Sequence, residues 1–400
     1  MKCTLKFCIF LLTSEIKMIS IKQIIKRNDL NLILLIISAF FILNIFKLTE
    51  FAYTDLFKFF SKSLNIIRFL LVISYLYLLC YYSKSKSEFF LFILFIIFSF
   101  VINKKSHTEA IFDLFFIPFF IAKFIDRKVF LKWMMLSCLV FIFLFLTLFL
   151  CNYVHDSSEF YRNDEQLRHT FGFVHPNGLG FFTMLCTVLY VLRKNKANLV
   201  DFILLLLASA FCYVYPNSIT STLIIFFIAF SLALILFLHK YEFGNRLKYF
   251  VLGLSLFIIC LILFFTYFIT FSDFLKEFLL KMPGSIWARF YLSKASYHSF
   301  GFSFFGKYDE YKSILISGIN KNSSWSFPID CAYFFIPIIH GMVTYLFFLG
   351  TLIILTVKSA LMKEYLYSCV MICVFLYGVS ENTIFTATFM PVYVYLFCKR

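Results

Sequence analysis

The stretch FLKWMMLSCLVFIFLFLTLFLC, residues 130–151, determines the class of fold, because it is too long and too apolar for a water-soluble domain. Its only charged side chain is Lys132, close to its start. As an α-helix it would extend about 33 Å, which is enough to cross the roughly 30 Å hydrocarbon layer of a membrane. We therefore expect this stretch to span a bilayer.

Similar stretches recur along the chain, which is 62% hydrophobic and only 14% charged, with a mean hydropathy of +0.89. They are continuously apolar rather than alternating, which favours helices over a lipid-facing β-barrel. We expect an all-α polytopic membrane protein with about twelve transmembrane helices, within a range of eleven to thirteen. The predicted spans are residues 30–46, 64–82, 88–102, 109–125, 130–151, 173–192, 198–215, 219–238, 249–270, 331–357, 363–379 and 382–398. The tenth is long enough to hold a re-entrant piece followed by a helix.

The formal net charge of +16 does not indicate nucleic-acid binding, because the basic residues lie in short runs between apolar spans. Such runs are typical of topology signals. By the positive-inside rule, both termini are predicted to be cytoplasmic. The apolar run in residues 1–17 is too short to span a membrane, so we expect it to be cytoplasmic or interfacial.

The predicted spans divide the chain into four regions. Residues 1–29 form a cytoplasmic segment, 30–270 a nine-helix membrane region, 271–329 a large extracytoplasmic loop between helices 9 and 10, and 330–400 a three-helix membrane region. Basic and aromatic residues alternate in the loop, which is typical of helices lying along a membrane surface. Because long loops in compact proteins are often functional, we expect the chemistry at the outer leaflet.

The most informative polar motif is RHTFGFVHPNGLG, residues 168–180. Pro176 disfavours helical geometry at His175 and suits a first helical position, so a helix should begin there with His175 at its lip. His175 and Asn177 would then lie at a helix N-terminus, which favours an anion. Arg168 offers the bidentate donors that suit phosphate oxygens. The alternatives are a structural cap for His175 and an ordinary snorkelling role for Arg168.

Further candidates follow in the second half of the chain. Arg289 in the large loop would supply a second phosphate ligand, or else be an interfacial cation. Asp330, Tyr333 and His340 lie at the mouth of the tenth span, where ionisable groups are costly and often functional. Asp330 and His340 could act as acid or base or orient a sugar hydroxyl, or serve as structural polar groups. Glu381 lies in the last outer turn, where a simple loop role is equally open.

Several common catalytic motifs are missing from the sequence. It contains no D-x-D pair, P-loop, G-x-S-x-G, H-E-x-x-H or C-x-x-C. We therefore expect no metal and no cofactor. Outside the membrane a glycosyl donor must carry its own activation, as a lipid-linked pyrophosphate does. Arginines, in place of a metal, would then stabilise the negative charge on the departing pyrophosphate.

These motifs resemble the Wzy-type O-antigen and capsular polysaccharide polymerases, within the group that includes the O-antigen ligases. Residues 168–180 are similar to that family's R-x-x-x-G-F-x-H-P-N segment. WARFYLSKASYHSFGFSFFGK, residues 287–307, and IDCAYFFIPIIHG, residues 329–341, resemble its loop-arginine and D-x-x-Y segments. Two positions depart from the pattern: Ala288 replaces a glycine, and Ile219 in NSITS stands where an arginine is expected, which leaves a third phosphate contact in doubt.

The resemblance implies a metal-independent glycosyltransferase of the bacterial plasma membrane. It would move a growing glycan from its polyprenyl pyrophosphate carrier to the non-reducing end of a new lipid-linked repeat unit. Arg168 and Arg289 would bind the two lipid phosphates, and His175 or His340 would assist the acceptor hydroxyl. Asn177, Tyr333 and Asp330 complete the set of expected site residues. Membrane lipids, a chain-length regulator and a flippase are the expected partners, with no nucleic acid.

Two other functions are compatible with the sequence. An O-antigen ligase would use the same arginines but transfer the finished chain to a lipid core. A flippase or transporter for lipid-linked sugars would need ionisable residues deep in several spans, whereas those singled out here cluster at predicted outer ends.

Overall fold

The fold is known from a computed structural model, which describes residues 27–83, 85–106, 109–156, 161–162, 166–194, 198–239, 246–272, 284–312 and 329–399. Regular structure within these ranges is helical apart from one small antiparallel hairpin, β1 (Tyr161–Arg162) and β2 (Gln166–Leu167). Most of the predicted N-terminal segment, residues 1–26, lies outside the described residues.

Fourteen α-helices are identified in the part of the chain that the structure describes. They are α1 (Arg27–Phe46), α2 (Asp55–Leu78), α3 (Lys86–Ser106), α4 (Ala110–Phe116), α5 (Arg127–Leu150), α6 (Pro176–Arg193), α7 (Leu199–Val214), α8 (Ile219–His239), α9 (Arg246–Phe271), α10 (Gly284–Phe300), α11 (Ala332–Phe335), α12 (Met342–Leu361), α13 (Tyr365–Ser380) and α14 (Met390–Val394). The closest helix packing is between α7 and α8, and α8 also packs on α13.

Six of these helices are long and apolar enough to cross a membrane, judged by length and composition. The qualifying segments are Asp29–Phe46, Lys62–Tyr81, Lys86–Lys105, Arg127–Leu150, Lys248–Phe271 and Met342–Leu361. Large apolar side chains such as Phe143 and Leu150 are exposed on their surfaces, as expected where lipid is the solvent. The structure thus supports a helical membrane protein, as the composition predicts.

The fourth predicted span, residues 109–125, is not a regular helix. After α4 the backbone widens into a π-helical turn, Ile117–Ile121, and then tightens into a 3₁₀ turn, Ala122–Phe124. Pro118 lies in the widened turn and has no N–H to donate, so the regular pattern of helical hydrogen bonds cannot continue through it.

The last predicted span, residues 382–398, is also wrong as a continuous helix. It consists of two 3₁₀ turns, Asn382–Phe385 and Ala387–Phe389, followed by the short α14. Nearly all of its side chains are buried within the protein. Irregular backbone is tolerated in a membrane protein where other protein elements surround it, which explains why an apolar sequence need not be helical here.

The tenth predicted span, residues 331–357, divides into two parts. The short α11 and a π-helical turn, Ile336–His340, end at Gly341, and α12 then runs on to Leu361. Gly341 has φ +89°, and a Cβ there would lie 2.5 Å from the backbone nitrogen of Gly306. Gly306 also has positive φ, at +90°. Two glycines therefore permit this close backbone approach between the predicted large loop and the start of α12.

Part of the predicted large loop is visible as α10 and the turn that follows it. The α10 helix packs on α9, and its Ser293 and Ser296 side chains are buried. Residues 273–283 and 313–328 of this loop lie outside the described residues. The described part is therefore packed on the helix bundle.

One ionisable cluster lies between α2 and α4. The Nε and Nη2 atoms of Arg68 each donate a 2.7 Å hydrogen bond to the carboxylate of Asp113, and Glu109 also pairs with this arginine. The two carboxylates compensate the charge of Arg68, as an ionisable group in an apolar region requires. This cluster ties α2 to the irregular segment that begins with α4.

Candidate active site

The start of α6 has the geometry that the HPNG sequence predicts. His175 has extended backbone geometry and precedes the first helical residue, Pro176. The Nδ1 atom of His175 accepts a 3.1 Å hydrogen bond from the backbone N–H of Asn177. The predicted helix start is therefore confirmed, and the His175 side chain caps the helix.

A carboxylate fixes the loop before this helix. Asp156 accepts hydrogen bonds from the backbone N–H groups of Thr170 and Phe171, each at 2.9 Å. Its second oxygen lies 2.6 Å from Nδ1 of His169. These contacts hold the backbone directly after Arg168, so the arginine starts from an ordered position.

Gly180 sets the distance between α6 and α8. A Cβ at this position would lie 2.5 Å from Cβ of Ser218, so no larger residue fits without movement of one helix. The last glycine of HPNGLG thus has a packing reason: it lets the two helix N-termini approach each other.

Arg168 joins the beginnings of these two helices. Its Nε donates to the carbonyl oxygen of Pro216 at 3.0 Å, and its Nη2 donates to Oδ1 of Asn177 at 2.7 Å. Pro216 lies in the turn between α7 and α8, and Asn177 in the first turn of α6. The guanidinium is therefore held from two sides by hydrogen bonds.

Glu381, directly after α13, is the central residue of the site. Its Oε1 accepts a 2.8 Å hydrogen bond from Nδ2 of Asn177 and a 2.9 Å hydrogen bond from Nη2 of Arg289. Only 7% of Glu381 is exposed. A single buried carboxylate oxygen therefore links the start of α6 to α10.

Arg289 has two further neighbours. Its Nη1 lies 3.4 Å from the hydroxyl of Thr220, which also accepts a hydrogen bond from Ser380. Its Nε lies 3.9 Å from Oδ2 of Asp330, a long ion pair at the more exposed edge of the site. These contacts place Arg289 between α8, α13 and the segment before α11.

The site thus consists of Arg168, Asn177, Glu381, Arg289 and Asp330, which we call the arginine–glutamate network. Four of its members are predicted from the sequence, and the structure brings them together. For Glu381 the sequence allows a simple loop role equally well. The only signal for it in the sequence is a lone carboxylate within a long apolar region, and only its burial and its two donors distinguish it.

Tyr333 and His340 are placed differently from the other predicted site residues. Tyr333 is fully buried, and its hydroxyl donates a 2.7 Å hydrogen bond to the carbonyl oxygen of Phe375 in α13. His340 is buried beside the rings of Phe335 and Phe385, with centroid distances of 5.2 and 5.3 Å. Neither makes one of the hydrogen bonds that define the arginine–glutamate network. Their described contacts are those of packing residues.

Burial and charge shift the protonation of several groups. Burial raises the pKa of Glu381 to about 7, although the positive charge of Arg289 opposes this shift. Burial also raises the pKa of Asp330, again against the effect of Arg289. His175 is exposed at the surface, yet surrounding protein atoms desolvate its charged form. Together with Arg168 and Arg289, they lower its pKa to about 4. At neutral pH His175 is therefore uncharged, and the pKa of Glu381 lies much closer to the surrounding pH than that of an ordinary carboxyl group.

The opposite end of the bundle has a different set of ion pairs. They are Lys123 with Glu88 at 2.6 Å, Arg127 with Glu364 at 2.7 Å, and Lys194 with Asp201 at 2.9 Å. The guanidinium of Arg127 also lies 4.4 Å from the ring centre of Tyr395. The backbone of Lys399 is hydrogen-bonded to Ile125 and Arg127. The irregular segment after Glu381 therefore runs from one end of the bundle to the other.

Comparison of the chain with models of known protein families, with curated proteins and with solved structures finds no match. Among the residues that the structure describes, no group of three or more His, Cys, Asp or Glu side chains is arranged to hold a metal ion.

Proposed function

We propose that the chain polymerises polyprenyl-pyrophosphate-linked oligosaccharide repeat units into a surface polysaccharide, at the outer face of a bacterial plasma membrane. The observation that carries this proposal is the connection of Arg168 to Arg289 through Asn177 and Glu381. Two guanidinium groups from distant parts of the chain thereby belong to one site. A transferase that holds two lipid phosphates at once needs such a pair.

The charge balance of the network supports anion binding. Two arginines face two carboxylates, which would give no net charge if both acids were fully ionised. Burial raises the pKa of Glu381 to about 7 and also raises the pKa of Asp330, which shifts both carboxyl groups toward their neutral forms and favours a net positive charge on the network. Guanidinium groups also bind phosphate oxygens in a bidentate manner, which fits a pyrophosphate better than a point charge would.

The direction of the helices supports the proposed orientation. We propose twelve membrane passes, counting the irregular segments at 110–124 and 382–399 as passes, with both termini in the cytoplasm. Lys123, Arg127 and Lys194 lie at the end opposite to the network, which the positive-inside rule assigns to the cytoplasm. The network then faces outward, where flipped lipid-linked glycans are found and soluble nucleotide-sugars are not.

The proposed reaction needs no metal. The acceptor sugar hydroxyl attacks the anomeric carbon of the growing glycan, and the bond from that carbon to the pyrophosphate oxygen breaks. The electron pair leaves on the lipid pyrophosphate, where guanidinium groups fixed in advance stabilise the developing charge.

The test is elongation of lipid-linked repeat units. The probe is the single-repeat glycolipid that accumulates in cells in which this gene has been deleted. Purified wild-type protein should convert it into long chains that form a ladder on a gel. Arg168→Ala and Arg289→Ala should each abolish the ladder, while Arg127→Ala, a matched arginine at the other end of the bundle, should keep it.

Two results would contradict the proposal. One is wild-type chain length in either network variant with unchanged membrane insertion. The other is wild-type protein that leaves the repeat unit unextended but transfers a finished chain to a lipid core, which would indicate a ligase.

A further inference from the structure

We infer that Glu381 is the general base of this site and accepts the proton of the acceptor hydroxyl through its Oε2 atom. The inference rests on the proposed function, and it replaces the histidines that the sequence favours for this role. It assigns the proton transfer to a residue whose position follows only from the fold.

The hydrogen bonds of Glu381 leave one oxygen for substrate. Oε1 accepts from both Asn177 and Arg289, whereas Oε2 has no hydrogen-bond partner in the part of the chain that the structure describes. The two bonds to Oε1 come from two different helices, α6 and α10, and fix the carboxylate. A fixed carboxylate with a free oxygen is suited to receive a proton, since a base must lie within hydrogen-bond reach of the group that it deprotonates.

The other acid–base candidates are placed less favourably. His175 uses Nδ1 to cap α6, and burial together with the two arginines lowers its pKa to about 4, so it holds a proton poorly at neutral pH. His340 is packed against Phe335 and Phe385. Asp330 is 40% exposed and forms only a long ion pair with Arg289 among the contacts described.

The surroundings of Glu381 match the requirements of a base near neutral pH. Arg168 and Arg289 favour its charged form, Asp330 disfavours it, and Tyr377 lies one turn before it on α13. Burial outweighs the arginines and raises its pKa to about 7. A base is most effective when its pKa is close to the working pH, because it is then available and still strong enough to take the proton.

The proposed step balances in atoms and charge. The acceptor oxygen forms its bond to the anomeric carbon as its proton moves to Oε2 of Glu381. The anomeric carbon releases the lipid pyrophosphate, which keeps the electron pair of the broken bond. Glu381 then returns its proton to water when the product leaves, and the site is ready for the next repeat unit.

The first experiment compares Glu381→Gln with Glu364→Gln, a matched glutamate neutralisation at the opposite end of the bundle. With the single-repeat glycolipid as substrate, Glu381→Gln should lower kcat by about 10²- to 10⁴-fold, the usual contribution of a positioned base. Wild type and Glu364→Gln should both show kcat rising with pH through an apparent pKa near 7. This rise of kcat with pH should be absent from the residual activity of Glu381→Gln.

The second experiment separates proton transfer from a structural role. Formate added to Glu381→Ala should restore part of the turnover, because a small carboxylate can occupy the space of the missing side chain. Farnesyl pyrophosphate, used as a probe of the phosphate site, should still bind to Glu381→Gln but not to Arg289→Ala.

The outcomes distinguish the inference from the proposed function. Wild-type protein that does not extend the glycolipid would overturn both. Extension by wild type together with a kcat of Glu381→Gln within tenfold of wild type would overturn the base alone. Loss of farnesyl pyrophosphate binding in Glu381→Gln, or no rescue of Glu381→Ala by formate, would show that Glu381 only holds the network together.

Discussion

The side-chain amide nitrogen of Asn177 lies 2.8 Å from Oε1 of Glu381, although 204 positions separate the two residues in the chain. Asn177 also accepts a hydrogen bond from Arg168, and Glu381 accepts one from Arg289. This one contact therefore connects the two arginines that the sequence singles out.

The Arg289→Lys variant should have low activity, although lysine keeps the positive charge. An ammonium group cannot contact Glu381, Thr220 and a phosphate in the geometry of a planar guanidinium. We expect kcat for glycolipid extension to fall by about 10²-fold, the loss typical of one fixed donor to a developing anion. Full activity in the lysine variant would show that charge alone is sufficient.

His175→Asn should retain most of the polymerising activity. Asparagine is among the best N-cap residues, so its side-chain oxygen can accept the hydrogen bond that the backbone N–H of Asn177 donates to His175. His175→Leu should lose this cap and lower stability by about 1 kcal/mol. Thermal unfolding in detergent and glycolipid extension measure the two effects. An asparagine variant that is folded but inactive would restore His175 as a catalytic candidate.

Gly306→Ala and Gly341→Ala should each destabilise the protein. Both glycines have positive φ, and a Cβ at either would meet backbone atoms of the other segment. Backbone strain of this kind costs about 1 to 3 kcal/mol, which should lower the melting temperature. Gly350→Ala is the matched control, because a Cβ there has nothing within 4 Å. Equal melting temperatures in all three variants would contradict the close approach of the two segments.

Arg127→Ala should lower stability without lowering turnover per folded molecule. Its ion pair with Glu364 and its contact with the ring of Tyr395 attach the end of the chain to α5, far from the network. Loss of a charged hydrogen bond of this kind costs about 1.5 to 3 kcal/mol. The melting temperature and the extension rate, normalised to folded protein, check the prediction. A selective loss of turnover would place Arg127 in the reaction.

Stability should depend on pH through Glu381. Its pKa in the folded protein, about 7, is higher than the ordinary value of 4.5, so the folded state holds this proton more tightly. The resulting stabilisation is fully present below pH 4.5 and is lost as the pH rises through 7. The melting temperature of wild type, relative to Glu381→Gln, should therefore fall across this window. A melting-temperature difference that stays constant with pH would mean that the pKa of Glu381 is not shifted.

The sequence predicts the local features of the site well. Pro176 determines where α6 begins, because the restriction that proline places on its own φ and on His175 is independent of the rest of the fold. Arg168 and Arg289 could be chosen as candidate site residues because an arginine at the end of an apolar span needs a structural or functional explanation. Glu381 could not be chosen in this way, because a carboxylate in a turn is common and only its burial makes it unusual.

The irregular backbone of the segment after Glu381 is a second feature that the sequence does not predict. Its apolar composition indicates that it is buried but not what surrounds it. A helix is required only where lipid surrounds the segment, because unpaired backbone groups cannot face hydrocarbon. Here other helices surround the segment, so two 3₁₀ turns replace the predicted span.

Hydrophobic transfer and proline geometry act on each stretch of chain separately, so the amino-acid sequence alone is enough to predict a helical membrane protein and the start of α6. The shared site of Arg168, Asn177, Arg289 and Glu381, and the burial of Glu381 among them, are seen only in the folded protein. Contacts between residues so far apart, and the protonation that burial imposes, depend on how the helices pack and leave no periodic mark in the sequence.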